Sequence, residues 1–341
     1  MKNTGRQAVI IGGGITGLSA ALDLANLKID VTLIEQADRL GGIAVQLSCK
    51  ATDRCVACGA CIVSQKLHSV FRQPNISVCL ESRIKKVKRH DRYIVEFEQK
   101  PLNSITQVDA DAIIAATGFQ SFDPESKPYG YKRFKNVITN LELERMLRKE
   151  GRARRPSDGN PPQSIAFIQC VGSRDAQLNH LWCSRVCCAS ALRIANRIKW
   201  DRPDTDISIF YIDIQEDLNT FKMDIQHPTS MHRIIPGDII ETDDKQLKVS
   251  CYENGGKDKR FDMVVLSIGM TPRPDNYSLY KQLGLPLSET AFSFTYDDAG
   301  FPLYEGIFPA GTVTAPMGIA ESIASAGKAA RDAEAYLMEG R

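Results

Sequence analysis

Hydrophobic residues fall along this chain in short runs that end at glycine and alternate with stretches of helical spacing. QAVII at 7–11 is a buried-strand pattern that runs into GGGITG, residues 17–27 carry apolar positions at helical intervals, and VTLIE at 31–35 is a second strand. Strand, glycine turn, helix, strand is the first unit of a parallel sheet. ISVCLESRIKKV and RYIVEFEQ alternate apolar and polar positions, which predicts antiparallel strands joined near His90 and Asp91. DADAIIAATG then reads as a buried strand stopped by a glycine.

Residues 120–163 are rich in Pro, Gly, Lys and Arg and hold one helical piece, NLELERMLRKEG, which predicts a connection between domains. The basic run RKEGRARRP reads as solvated surface. SIAFIQC at 164–170 opens a second strand–helix–strand unit, with a helix holding CSRVCCASALRIANRIKW and then the strand DISIFYID. FDMVVLSIGMTP and GIFPAGTV are further strands, and GIAESIASAGKAARDAEAYLM is a long closing helix. The fold class predicted is α/β, with two Rossmann-like three-layer domains. Residues 1–140 plus 271–341 form one and residues 141–270 the other.

Composition narrows the functions available. The chain has 341 residues, 43% of them hydrophobic and 25% charged, typical of a globular protein. A net charge of +2 gives no electrostatic reason to expect nucleic acid or a membrane surface as partner. No apolar run is long enough to span a bilayer. The N-terminal MKNTGRQAVIIGGG puts a strand where a signal peptide needs a longer apolar stretch, so a cytoplasmic location is expected. Reduced thiols are the norm there, and clustered cysteines then point to metal binding or catalysis. Eight of the ten cysteines form two groups, Cys49, Cys55, Cys58, Cys61 and Cys170, Cys183, Cys187, Cys188; Cys79 and Cys251 stand alone and read as small buried hydrophobes.

Gly12, Gly14 and Gly17 give G-x-G-x-x-G between a strand and a helix. The first allows a tight turn, the second lets the backbone approach a pyrophosphate, and the third lets helix and strand pack closely. The helix N-terminus offers N–H groups to the anion. Glu35 ends the next strand, where an acid accepts ribose hydroxyls. Arg39, Gly41 and Gly42 follow, Thr117 and Gly118 end a later strand, and Ala310, Gly311 and Thr312 lie within IFPAGTV. Together these motifs resemble the two-dinucleotide-binding flavoproteins, the superfamily of thioredoxin reductase, lipoamide dehydrogenase and glutathione reductase. The resemblance implies FAD bound by Gly12, Gly14, Gly17, Glu35, Arg39, Gly42, Thr117, Gly118, Gly311 and Thr312. The late motif, usually Ala-Gly-Asp, touches the flavin's ribityl and phosphate in that superfamily, and Thr312 here takes the place of its Asp.

Those relatives carry a second glycine fingerprint for NAD(P)H. The matching turn here, CVGSRD, has a single glycine, Gly172, so the backbone cannot closely approach a second pyrophosphate. Cys170 ends that strand, Cys183 and Cys187 are four apart and share a face if helical, and Cys188 lies about 100° around. Four thiolates suit an iron–sulfur cubane, and structural zinc or plain thiols are the alternatives. CVGSRD with WCSRVCC on such a flavoprotein resembles the FAD-bearing, A-type component of heterodisulfide reductase, and the shorter length resembles its counterpart in the heterodisulfide-reductase-like system of sulfur-oxidising bacteria. That resemblance implies a [4Fe-4S] cluster on Cys170, Cys183, Cys187 and Cys188, and an electron-transfer role in disulfide or sulfur metabolism. It also implies other subunits of such a complex as partners, around a homodimer core.

SCKATDRCVACGAC at 48–61 has CxxCxxC spacing at Cys55, Cys58 and Cys61, with Cys49 upstream. Three readings stay open: a second cluster, a redox dithiol, or thiols completed by a partner protein. The dithiol reading defines the alternative function, an NAD(P)H-dependent disulfide reductase using Cys49 and Cys55. His227 and His232 are expected in a loop, with surface or packing roles.

Overall fold

The computed structural model describes residues 5–100, 103–215, 229–251, 258–285, 292 and 305–339. His227 lies outside them. The chain divides into two compact units, one of residues 1–45, 59–120 and 272–341, the other of residues 46–58 and 121–271.

The first unit is built on a five-stranded parallel sheet ordered Ile307–Pro309, Ala112–Ala115, Gln7–Ile11, Asp30–Ile34, Ile76–Cys79. Alternation along its strands sends side chains to two different cores. Ala8, Ile10, Ala112 and Ile114 pack with Leu18 and Ala21 of the helix Ile15–Asn26 and with Ala326 and Ala330 of the helix Ile319–Glu339. Val9, Ile11, Ile113 and Ala115 pack with Tyr93, Val95 and Phe97. Those three belong to a three-stranded antiparallel sheet of Ser82–Arg89, Tyr93–Gln99 and Ser104–Ala110. The predicted strand ISVCLESRIKKV is therefore two strands. Its first four residues join the parallel sheet, and Glu81, at φ 50°, turns the chain into the antiparallel one. The result is three layers: helices, parallel sheet, antiparallel sheet.

The second unit repeats this plan. Its five-stranded parallel sheet is ordered Ser230–His232, Asp206–Phe210, Ser164–Val171, Met263–Ile268, Val137–Thr139. Ile165, Phe167, Ile207 and Ile209 face Leu143, Leu147, Ile194 and Ile198 of the helices Asn140–Glu150 and Cys187–Asp201. Ala166, Ile168 and Phe210 face Leu247, Val249 and Phe261 of a small antiparallel sheet, Ile239–Glu241, Leu247–Val249, Lys259–Phe261. His232 thus sits in a strand, stacked on Phe210, and not in a loop.

Residues 120–163 are more than a connection. Val137–Thr139 is an edge strand of the second sheet, and Thr139 and Glu142 form a reciprocal capping box for the helix that follows. Gly151, in the left-handed region, ends that helix. Residues 121–140, read from sequence with the first domain, fall in the second unit, as does the stretch 46–58 that carries Cys49, Cys55 and Cys58. No helix among the described residues is long and apolar enough to cross a membrane.

Candidate functional site

In the first unit the glycine motif closes on itself as dinucleotide chemistry requires. Gly12 has φ 107°, and a Cβ there would lie 2.3 Å from the Ala116 carbonyl oxygen, on the neighbouring strand's exit. A Cβ on Gly17 would lie 1.9 Å from the Gly12 oxygen. A Cβ on Gly14 would meet nothing within 4 Å, so the backbone there is open to close approach. Gly14 is also the N-cap of the helix Ile15–Asn26, with no side-chain cap and no acid in the first turn, leaving N–H groups for an anion.

Glu35 accepts hydrogen bonds from Gly13 N–H at 2.7 Å and Ala37 N–H at 2.8 Å, which pins its carboxylate beside the glycine loop. Gly41 N–H donates to the Gly13 oxygen at 2.8 Å, and a Cβ on Gly42 would press on the Gly14 Cα at 3.2 Å. The double glycine therefore builds the wall opposite the loop. Gly311, at φ 72°, packs on Thr16, where a Cβ would come within 2.2 Å of the hydroxyl, and its N–H donates to Ser325 Oγ at 2.9 Å. Thr312 is buried beside it. The Thr117 hydroxyl shares a 3.0 Å hydrogen bond with that of Tyr280, whose burial pushes its phenol up to about 12. Gly118 follows at φ 76°. Arg39 is exposed and pairs with its neighbour Asp38.

In the second unit the chemistry sits at the carboxyl ends of the parallel strands, where ligands of such sheets bind. The register between Ser164–Val171 and Met263–Ile268 shifts between Ile168 and Val171, and Cys170 inside that bulge has φ 60°. Bulge and left-handed backbone together re-aim the Cys170 side chain. Arg174 and Arg185 are also left-handed, at φ 54° and 63°. Such backbone costs on the order of 1–3 kcal/mol per residue, so three occurrences mark a shape held by the rest of the site.

The helix begins at Cys187, so Cys183 precedes it and the shared helical face expected for Cys183 and Cys187 does not exist. A packed turn delivers Cys183 instead. Trp182 Nε1 donates to the Met270 oxygen at 2.8 Å, Ser184 Oγ accepts from Met270 N–H at 2.9 Å, and Arg185 N–H reaches Cys183 Sγ at 3.2 Å.

Cys170, Cys187 and Cys188 are buried and form a chain of thiol hydrogen bonds; Cys183 interacts with Cys170 and Cys187 through their charges. The bond from Cys187, helped by Arg174, holds the Cys170 thiol below its ordinary value despite burial. Cys187 is pushed up to about 12 by its bond to Cys170, and Cys188 is pushed up by its bond to Cys187 and by burial. Arg174 forms an ion pair with Asp213. The side chains of Gln169, Ser173 and Ser267 are buried around the same strand ends without a hydrogen-bond partner. Orphaned polar groups at this depth are uncommon and take their partner from water or from a bound group. Soft thiol donors fit an iron–sulfur cluster, although as free side chains they do not adopt metal-ligating spacing: no such group of three or more His, Cys, Asp or Glu occurs among the described residues. Gly172 is closed to a pyrophosphate, since a Cβ there would lie 2.1 Å from the Phe122 ring.

None of the ten cysteines is in a disulfide. Cys49, Cys55 and Cys61 are exposed and Cys58 is half-buried. Cys251 is buried and Cys79 half-buried, both thiols raised by desolvation and so unreactive. Sequence reasoning missed the orphaned polar trio and the buried pair of Lys50 and Glu144; only an acid inside an otherwise amphipathic helix pattern hinted at the latter.

Residues 1–132 match the family model of the pyridine nucleotide-disulphide oxidoreductases. The chain is 28% identical to the second A-type iron-sulfur subunit of CoB–CoM heterodisulfide reductase from Methanopyrus kandleri, over 98% of this chain and 65% of that one. It is 30% identical to the A-type subunit of the ferredoxin/F420H2-dependent CoB–CoM heterodisulfide reductase from Methanosarcina acetivorans, over 94% and 52%. The chain thus spans less than two thirds of the length of these curated relatives. Thioredoxin reductase of T. acidophilum superposes with TM-score 0.64 at 16% identity, covering 98% of this chain and 99% of that one. An HOCl-induced flavoprotein disulfide reductase of Escherichia coli gives 0.63 at 17%, covering 100% and 72%. The resemblance expected from the cysteine and glycine motifs and the thioredoxin-reductase-like α/β class are both borne out, and the family match implies FAD.

Proposed function

We propose, for a chain similar to the A-type component of heterodisulfide reductase, that it is an electron-transferring oxidoreductase subunit carrying FAD and one [4Fe-4S] cluster. It would act within a heterodisulfide-reductase-like complex, with a homodimer core and partner subunits that carry out disulfide or sulfur chemistry. The observation that carries this reading is the gathering of Cys170, Cys187 and Cys188, with Cys183 beside them, at the strand ends where the fold would otherwise hold a glycine loop. When bound, the flavin exchanges one or two electrons and the cluster one at a time, which links pair and single-electron chemistry.

The chain's own residues have distinct tasks in this reading. Gly14 and the N–H groups of the helix start bind the pyrophosphate, and Glu35, already fixed by two backbone donors, takes the ribose. Gly41, Gly42 and Gly311 let the backbone pack against Val45, Gly14 and Thr16, around the loop that would hold the dinucleotide. Cys170, Cys183, Cys187 and Cys188 hold the cluster, while Arg174 offsets thiolate charge. Gln169, Ser173 and Ser267 would be buried dipoles available to a cluster held there.

Iron and acid-labile sulfide analysis of anaerobically purified protein tests the assignment. About four irons per chain are expected beyond any second site. Cys183→Ser should lose the corresponding iron and the low-temperature paramagnetic signal of the dithionite-reduced protein while keeping its flavin. The alternative, a disulfide reductase using Cys49 and Cys55, is favoured instead by rapid NADPH bleaching of the flavin with release of thiols.

A further inference from the structure

Lys50 and Glu144 form an ion pair at 2.5 Å with side chains only 4% and 2% exposed. Neither residue belongs to the sites above. Glu144 lies in the helix Asn140–Glu150, and its carboxylate collects the stretch that precedes it by almost a hundred residues. Its Oε2 accepts from Ser48 N–H at 2.8 Å and Ser48 Oγ at 2.6 Å. Its Oε1 takes Lys50 Nζ and lies 3.5 Å from Ser190 Oγ, two residues after Cys188 on the cysteine-bearing helix. Lys50 Nζ also donates to the Ser48 oxygen at 3.0 Å. The same helix holds the stretch twice more, through Arg145 to Gln46 Oε1 at 2.6 Å and Arg148 to the Leu47 oxygen at 3.0 Å.

A buried ion pair is weak evidence for stability, because desolvation cancels much of its attraction, but it specifies one arrangement sharply. Here it specifies the place of a thiol. Cys49 is exposed although Ser48 and Lys50 on either side are both 4% exposed, so the anchors turn it outward at a fixed point. We propose that Glu144 is a positioning residue. It locks residues 46–50 to the second unit and, through Ser190, registers them to the helix Cys187–Asp201, so that Cys49 and the Cys187–Cys188 pair form one rigid thiol assembly. The iron–sulfur reading enters only the spectroscopic arm of its test, and the exchange arm stands without it.

Hydrogen exchange of the full-length flavin-loaded protein reads the lock directly, since the Ser48 amide donates to the Glu144 carboxylate. Glu144→Ala strands Lys50 as a buried charge, and exchange across 46–50 should quicken at least tenfold. The visible circular dichroism of the cluster should change shape with iron content retained. In the pair Glu144→Gln with Lys50→Met, the Gln carbonyl still takes both Ser48 donors and no charge is buried, so both readouts should return to wild type. Ser48→Ala, which leaves the ion pair intact, is the milder variant should Glu144→Ala not fold, and should quicken exchange at least threefold. Unchanged exchange in a folded Glu144→Ala or Ser48→Ala protein overturns the proposal, as does a double variant as loose as Glu144→Ala. Wild-type protein without iron removes the cluster reading alone, and the exchange arm still decides.

Discussion

A methyl group at Gly17 would sit 1.9 Å from the Gly12 carbonyl oxygen, whereas one at Gly14 would meet nothing within 4 Å. The two positions therefore separate folding from binding. Gly17→Ala forces helix and strand apart, and overpacking of this kind costs about 1–3 kcal/mol. A lowered melting temperature and lost flavin together are expected. Gly14→Ala, at φ −73°, fits the backbone, and with both proteins stripped of flavin it should melt within about 4 °C of wild type, because a capping glycine is worth no more than about 1 kcal/mol over alanine. It should nonetheless carry much less flavin, because the added carbon occupies the approach to the pyrophosphate. Flavin-to-protein absorbance ratios beside thermal melts check both. A Gly14→Ala protein with full flavin would show that the dinucleotide does not lie against that backbone.

Elements differ in how far the chain announces them. The parallel strands and their glycine turns are legible because the signal is local: alternating cores, a tight turn, a helix start. The start of the helix at Cys187 is not, because contacts from Met270 to Trp182 and Ser184 decide where Cys183 leaves extended structure. The three-residue strands Ile239–Glu241, Leu247–Val249 and Lys259–Phe261 are too short for a periodic pattern and exist through pairing. The allegiance of residues 46–58 to the second unit goes with contacts far along the chain, from Glu144, Arg145 and Arg148 to residues 46–50. The edge strand Ser230–His232 carries a further consequence. Burial, then Lys259, holds the His232 imidazole below its ordinary 6.5, and Lys259 Nζ lies 2.9 Å from Nε2, which must therefore accept. In acid the unfolded chain takes up a proton there that the folded chain refuses, so this residue's contribution is lost as pH falls through about 6.5. His232→Phe keeps the stacking on Phe210 and should flatten the fall in urea midpoint between pH 7.5 and 5.5 relative to wild type. Equal slopes for the two proteins would remove His232 from the acid response.

At the scale of the whole molecule one plan is used twice, a five-stranded parallel sheet between helices and a small antiparallel sheet, with different chemistry at each set of strand ends. The first unit keeps open backbone at Gly14. In the second, Gly172 lies under the Phe122 ring, and the helix that should follow the turn at once begins only at Cys187. A ligand that binds the folded state stabilises it by RT ln(1 + [L]/Kd), about 2.7 kcal/mol at one hundred times Kd. For a unit of this size each kcal/mol is worth roughly 2–4 °C of melting temperature. FAD added to flavin-depleted protein should therefore raise the melting temperature by several degrees. Millimolar NADH or NADPH should leave it within about 1 °C, because among the described residues of the second unit no free helix N-terminus meets an open glycine turn. A shift of several degrees with either nicotinamide, accompanied by bleaching of the flavin, would mean that the second unit grips a dinucleotide by another route. The alternative reading, a disulfide reductase using Cys49 and Cys55, would then be favoured.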